Sequence, residues 1–159
     1  MIEALALAGA LSSLWPFGDE IAEKRYRPAR GWTLVVEKDR FSGDVQCRGL
    51  GRGMTYKDGV LTFHMGRSVN TAQAEFRLDQ GPAKAAGDFA VEAAGRGAAF
   101  RTDNLLNPSG GLVHLPIETV RPATTVSIRA DRDRRARTYR LRGLERTLEA
   151  AKAQGCAVP

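Results

Sequence analysis

Turn signals recur along most of this chain and divide it into short segments that alternate apolar and polar residues. The strongest is Lys57-Asp58-Gly59, which stands between residues 54–56 and 60–65. Asp-Gly supplies the positive φ angles that a two-residue hairpin turn of type I′ requires. A period of two residues is typical of half-buried strands. The sequence therefore predicts a β-hairpin here, with Phe63 facing inward and His64 on the more exposed face.

The same reasoning predicts further short strands, separated by turns, over the rest of the chain. These strands are expected at residues 31–37, 44–50, 72–79, 98–101, 112–116, 124–130 and 138–142. The expected helices are a short one at 88–94 with Asp88 as its N-cap, a single turn at 117–120, and a longer one at 144–154 ended by Gly155. No alternation of strands and helices typical of parallel sheets is present. The fold class predicted is mainly β: an antiparallel β-sandwich or a partly open barrel with a short C-terminal helix.

Glycines at positions 49, 51 and 53 interrupt the strand pattern. Their spacing matches neither a dinucleotide-binding fingerprint nor a phosphate-binding P-loop, because no Gly-Lys-Ser/Thr and no helix follow. A bend or bulge between strands is the interpretation that the pattern favours. Residues 103–111 are expected to form a loop, or one helical turn followed by a tight turn.

The first 30 residues differ in character from the rest. Residues 1–15 are apolar and rich in small side chains, which is typical of the core of an export signal, although Glu3 stands where such signals carry a positive charge. A short amphipathic helix is the alternative. The run is shorter than the roughly 20 residues that a membrane span needs. Residues 19–30 are charged and are expected to be a linker. The predicted organisation is therefore a segment 1–30 followed by one β-rich domain, 31–156.

Two cysteines, Cys47 and Cys156, are present. In an exported protein an even pair favours one disulfide, whereas in the cytosol the two would be unrelated buried thiols. A disulfide here would close a loop of about 100 residues, worth roughly 4–5 kcal/mol by the chain-entropy model.

Candidates for catalysis or metal binding are few. The two histidines, His64 and His114, share no zinc-site spacing with each other or with the cysteines. Cys47 paired with either histidine is a weak candidate for nucleophilic catalysis, because its strand position favours an apolar setting. No serine-nucleophile motif is present. The sequence predicts no catalytic residues, no metal and no cofactor, and leaves a small enzyme using His64 or His114 as an alternative.

Arginines are concentrated in the predicted hairpin at residues 129–142. The candidates for anion binding are Arg129, Arg134, Arg135, Arg137, Arg140 and Arg142. Together they could bind a polyanion. Asp131 and Asp133 interleave with them, however, and aromatic stacking partners are scarce, so a solvated outer face is the favoured interpretation.

The whole chain carries a net charge of +6. Its cationic residues are mostly scattered arginines, with lysine only at positions 24, 38, 57, 84 and 152. Scattered charge of this kind reflects composition more than a binding surface, and it disfavours nucleic acid as the partner.

Three stretches of the chain form a recognisable order of features. They are the tryptophan-led run at residues 32–47 that ends in Cys47, the turn Asp79-Gln80-Gly81-Pro82 after a strand, and the closing strand and helix at 126–148. In these stretches the chain resembles bacterial proteins of the invasion-associated locus B family. The chain lacks the additional mid-chain cysteines of that family. The resemblance implies an exported, β-rich protein of the periplasm or envelope, and it transfers no catalytic residue.

The sequence thus predicts a non-catalytic, exported binding domain, periplasmic or secreted, whose partner is an unidentified protein or envelope component. A polyanion-binding module is an alternative. If residues 1–15 form a structural helix instead of a signal, a cytoplasmic location is expected.

Overall fold

The computed structural model of the protein describes residues 21–96, 110–132 and 134–159. Over these ranges the fold is mainly β, with 42% strand and 19% helix. The strands are β1 Ile21–Ala29, β2 Trp32–Asp39, β3 Val45–Gly51, β4 Met54–Lys57, β5 Val60–His64, β6 Glu75–Leu78, β7 Lys84–Ala85, β8 Leu112–Pro116, β9 Thr125–Arg129 and β10 Arg137–Arg140. The helices are α1 Ala90–Gly95, α2 Ile117–Val120 and α3 Leu144–Ala153, with a 3₁₀ turn at Ala86–Phe89.

Two antiparallel sheets are present in the described part of the chain. Six strands lie in the order β1-β2-β3-β4-β5-β8, and four lie in the order β10-β9-β6-β7. The predicted hairpin turn joins β4 to β5, with φ angles of 49° at Asp58 and 78° at Gly59. This confirms the mainly β prediction, and of its two alternatives the two-sheet sandwich is the one observed.

Strand β1 corrects the prediction of a linker at residues 19–30. Ile21–Ala29 forms the edge of the six-stranded sheet and pairs with β2 along most of its length. Its exposure pattern explains the error, because every residue of β1 is exposed or half-buried. An edge strand that buries little has no hydrophobic alternation for the sequence to display.

The inner faces of the two sheets enclose the main core. Its largest fully buried side chains include Tyr56, Leu61 and Phe63 from one sheet and Phe76 and Ile128 from the other. Alternate residues of β4, β5, β8 and β9 supply this core, as expected for strands with one buried face.

Close packing explains the glycines at positions 49 and 51, which are not a bend or bulge as predicted. Both lie inside β3. A Cβ atom at Gly51 would stand 3.0 Å from the Trp32 indole ring, and one at Gly49 would stand 3.2 Å from Thr147 and 3.3 Å from Tyr56. The missing side chains therefore leave room for the indole ring and for Thr147 of the C-terminal helix against the sheet. Gly53, at φ 71°, forms the turn into β4.

Helix α3 packs against β1, β2 and β3. Its buried residues are Leu144, Thr147, Leu148 and Ala151. The helix ends in a Schellman motif: Cys156 N donates to Ala151 O at 3.1 Å, and Gly155 N, at φ 85°, donates to Lys152 O at 3.0 Å. The predicted glycine stop is confirmed, and it turns Cys156 back towards the sheet.

The helix predicted at residues 88–94 exists but begins differently. The α-helical part is Ala90–Gly95, its N-cap is Phe89, and no side chain caps it. Asp88 is therefore not the N-cap; it lies within the preceding 3₁₀ turn, which tightens the chain before the helix begins. The predictions for residues 1–20, the strand at 98–101 and most of the loop at 103–111 lie outside the described residues.

Candidate functional site

Cys47 and Cys156 lie at disulfide distance, with their Cα atoms 6.0 Å apart. Both side chains are buried in a second, smaller apolar cluster with Leu34, Val36 and Ala151. Cys47 comes from the centre of β3, and the Schellman motif delivers Cys156 to it. The pair therefore connects the end of α3 to the inner face of the six-stranded sheet.

The histidines lie on the other face of that sheet. His64 is exposed and its Nε2 is 3.0 Å from Thr55 Oγ1. His114 is buried, and its Nδ1 is 2.9 Å from Thr62 Oγ1. Since Cys47 faces inward in β3 and the histidines face outward in β5 and β8, neither histidine can activate the cysteine.

The histidine environments favour the neutral imidazole. Burial lowers the pKa of His114, and the neighbouring His64 lowers it further. Burial, followed by the positive charge of Arg137, lowers the pKa of His64. In the part of the chain that is described, no group of three or more His, Cys, Asp or Glu side chains could hold a metal ion.

The six candidate arginines of the β9–β10 hairpin do not share one surface. Arg129 and Arg140 lie on the outer face of the four-stranded sheet, and Arg129 Nη2 is 2.6 Å from Glu75 Oε2. That ion pair lowers the pKa of Glu75, chiefly through the hydrogen bond from Arg129. Arg77 of β6, which the sequence did not single out, is exposed on the same face opposite Ser127.

A second group surrounds the loop between β9 and β10. Arg134, Arg135 and Arg137 line a cavity of about 270 Å³ beside Met65 and Val69. Arg134 Nε is 3.4 Å from an Asp131 carboxylate oxygen. Arg137 Nη1 donates to the carbonyl oxygen of His64 at 3.0 Å, and its guanidinium lies 5.6 Å from the centre of the Tyr139 ring. These contacts give Arg137 a structural role between the sheets.

Arg142 lies at the far end of the hairpin, in a different setting. It lines a cleft of about 430 Å³ together with Arg30, Arg146, Ala29, Gly143 and Glu145. Arg30 belongs to the turn between β1 and β2, and Arg146 to the first turn of α3. The sequence pointed to Arg142 but not to this grouping, because the three arginines come from separate segments.

Comparison with protein-family models, with curated proteins and with solved structures finds no match. Among the described residues, none of the helices has the length and apolar character needed to cross a membrane.

Proposed function

We propose that the protein is a non-catalytic binding domain, exported to the periplasm or secreted, with a disulfide between Cys47 and Cys156. The observation that carries the proposal is the placement of the two cysteines at bonding distance in a buried cluster. Disulfides persist in oxidising compartments and are rare in the cytosol of mesophiles. An exported location follows if the bond forms in the cell.

The sequence of the N-terminal segment supports the same location. Residues 1–15 have the apolar, small-residue character of an export signal. The resemblance to the invasion-associated locus B family implies the same compartment and stays a prediction.

A binding role is favoured over catalysis by the positions of the candidate groups. A cysteine nucleophile needs a thiolate and a nearby base, but Cys47 is buried beside Cys156 and faces away from both histidines. His64 Nε2 and His114 Nδ1 each lie at hydrogen-bond distance from a threonine hydroxyl on the outward face of the sheet. Within the described residues, the candidate catalytic groups Cys47, His64 and His114 are therefore not assembled into one active site.

The test is to express the full chain in a Gram-negative host and recover it from the periplasmic and cytoplasmic fractions separately. Intact mass under nonreducing conditions then reports both any cleavage within the first 30 residues and the state of the cysteines. We expect periplasmic protein whose mass is lower by two hydrogen atoms than that of the reduced form. Protein recovered solely from the cytoplasm, with two alkylatable thiols after denaturation, would reject the exported, disulfide-bonded state.

The hairpin arginines keep polyanion binding as a second candidate. One observation favours it in a restricted form: Arg142 joins two other arginines in a cleft. A column of immobilised heparin tests the broader form, since an electrostatic complex weakens steeply with salt. Retention that is unchanged by salt, or unchanged when Arg134 and Arg135 are replaced by alanine, would argue against the hairpin loop as the binding surface.

A further inference from the structure

The cleft between the β1–β2 turn and the start of α3 concentrates positive charge. Arg30, Arg142 and Arg146 all line it and all are exposed. Within the described ranges, none of the three forms an ion pair or a side-chain hydrogen bond. Each guanidinium therefore keeps its full set of donors for a ligand.

The one carboxylate in the cleft is already neutralised. Glu145 accepts hydrogen bonds from Arg121, with Nε 2.9 Å from Oε1 and Nη2 2.9 Å from Oε2. This paired arrangement is bidentate and holds the acid on the side of Arg121. Glu145 consequently does little to offset the charge of the three arginines.

Trp32 and Gly143 hold the walls of the cleft together. Trp32 Nε1 donates to the carbonyl oxygen of Arg142 at 3.0 Å, which attaches the segment just before α3 to the first residue of β2. Gly143, at φ 91°, allows the segment before α3 to lie close to Ala29, because a Cβ atom at position 143 would stand only 2.7 Å from the Cβ of Ala29. Segments 110 residues apart in sequence are thus fixed against each other before any ligand arrives.

Helix α3 begins at this cleft with Gly143 as its N-cap and no side-chain cap. Its first backbone N–H groups add a modest positive potential to that of the arginines. A helix start alone would not specify a ligand; the three guanidinium groups determine its chemistry.

We propose that this cleft binds the phosphate or sulfate group of a ligand. Guanidinium groups match the oxygens of such tetrahedral anions through paired N–H donors, and three of them suit a doubly charged group better than a single carboxylate. The cleft volume of about 430 Å³ suits a compact ligand or the end of a larger one rather than a long polymer. The inference rests on the proposed binding function and assigns it a ligand class and a site.

The experiment is a titration of the full chain with inorganic phosphate and with sulfate at constant ionic strength, followed by calorimetry and by amide NMR shifts. The cleft variant is Arg30→Ala/Arg142→Ala/Arg146→Ala. The control variant, Arg40→Ala/Arg77→Ala/Lys84→Ala, removes the same charge from exposed cationic residues that line neither the cleft nor the β9–β10 loop. A single change, Arg146→Ala, covers the case in which the triple variant unfolds.

We expect saturable binding by the wild type and the control variant, with affinity at least about tenfold weaker in the cleft variant and weaker to a smaller degree in Arg146→Ala. The amides of Gly31 and Gly143 should shift on binding. Equal affinity in the cleft and control variants, or no saturable binding of either anion, would overturn the proposal.

A second arm separates the two sources of such a group. Vesicles of phosphatidylcholine containing phosphatidic acid are sedimented with each variant, against phosphatidylcholine alone. Retention of wild type and control, but not of the cleft variant, identifies a lipid headgroup as the source, whereas binding of the inorganic anions alone identifies a soluble ligand. The two proposals can fail separately. A titration without anion binding would reject the cleft but would not bear on export or the disulfide. Free thiols would reject the disulfide-bonded state but would not alter the anion titrations.

Discussion

Gly143 lies where the ends of β1 and β2 contact the segment before α3, and its lack of a side chain allows these segments to pack closely. It stands between β10 and α3 at φ 91°, and its Cα faces Ala29 and the Trp32 indole. Any other residue would carry a Cβ both in a left-handed backbone conformation and against the side chains of Ala29 and Trp32. The position therefore controls the packing of α3 on the sheet and the shape of the arginine cleft.

Replacing Gly143 by alanine should destabilise the protein by about 3 kcal/mol, since backbone strain of roughly 1–2 kcal/mol adds to a steric conflict of similar size. Guanidinium denaturation measures the change. Gly155→Ala is the matched control, because Gly155 has φ 85° but a Cβ added there would meet no atom within 4 Å. It should cost only the strain, about 1–2 kcal/mol. Equal losses in the two variants would show that the close approach at Gly143 does not matter.

Asp79 connects the end of β6 to the start of β9 through its carboxylate. Its Oδ1 accepts hydrogen bonds from Thr124 Oγ1 at 2.7 Å and from Thr125 N at 2.9 Å. The Thr124 side chain, followed by the Thr125 backbone, lowers the pKa of Asp79. These contacts stabilise the ionised form, so the connection depends on pH.

The pH dependence has a definite sign. Because the folded pKa is lowered, the contribution of Asp79 is present above the usual carboxyl value of about 4 and is lost as the pH falls through the lowered value. Asp79→Asn should therefore lower Tm at pH 7, and the difference from wild type should shrink as the pH falls below that range. Thermal unfolding followed by circular dichroism checks this, with the exposed Asp88→Asn as control. A difference in Tm that stays constant down to the lowest pH would contradict the role of the charge.

At the scale of elements, the sequence predicted strands and helices correctly where the turn residues and the pattern of buried side chains indicated the same structure. The Asp58-Gly59 hairpin, the β9–β10 hairpin and α3 with its Gly155 stop were all correct in position. Strand β1 was missed, because its strand character comes from pairing with β2 and not from its own pattern. Intrinsic strand preference depends strongly on context, so an exposed, charged edge strand cannot be distinguished from a linker by sequence alone.

Tyr139 joins the edge strand of the smaller sheet to the larger one. Its hydroxyl donates to the carbonyl oxygen of His64 at 2.9 Å, and its ring packs edge-on against Phe63 at 5.0 Å. Both contacts cross between the sheets, but only the first depends on the hydroxyl.

Tyr139→Phe should consequently lower the free energy of unfolding by about 1 kcal/mol, the typical net value of one partly buried hydrogen bond. Urea denaturation measures it. Tyr26→Phe provides a control, since the Tyr26 hydroxyl makes an exposed hydrogen bond to Gln154 Oε1 at 3.0 Å and its loss should cost less than about 0.5 kcal/mol. The interpretation is wrong if the Tyr26 variant proves the less stable of the two.

At the scale of the whole molecule, the inner face of the six-stranded sheet is shared by two partners. The four-stranded sheet encloses the main cluster, while α3 covers β1 to β3 and the smaller cluster that holds the cysteines. Alternation in the sequence indicated which residues of the predicted strands face inward, but it carried no information on which sheet a strand joins. For the same reason the grouping of Arg30, Arg142 and Arg146 was not predictable, because it depends on long-range packing.

Removing the proposed disulfide should have a large effect on the stability of the whole molecule. The cysteines are 109 residues apart in sequence, and for a loop of this length the chain-entropy model gives roughly 4–5 kcal/mol. Cys47→Ala/Cys156→Ala should lose up to that amount in guanidinium denaturation, and the wild type should lose a similar amount when reductant is added. The double variant itself should not respond to reductant. Wild-type stability that is independent of reductant would show that no bond forms.

The burial of Trp32 also gives the molecule an optical property. The indole is 4% exposed and is hydrogen-bonded to Arg142, just before α3, so its emission should lie at the short wavelengths of an apolar site. Detachment of α3 alone would admit water to the ring and move the emission to the red before the strands separate. With Trp15 replaced by phenylalanine, a single fluorophore would therefore report local opening at the cleft separately from global unfolding.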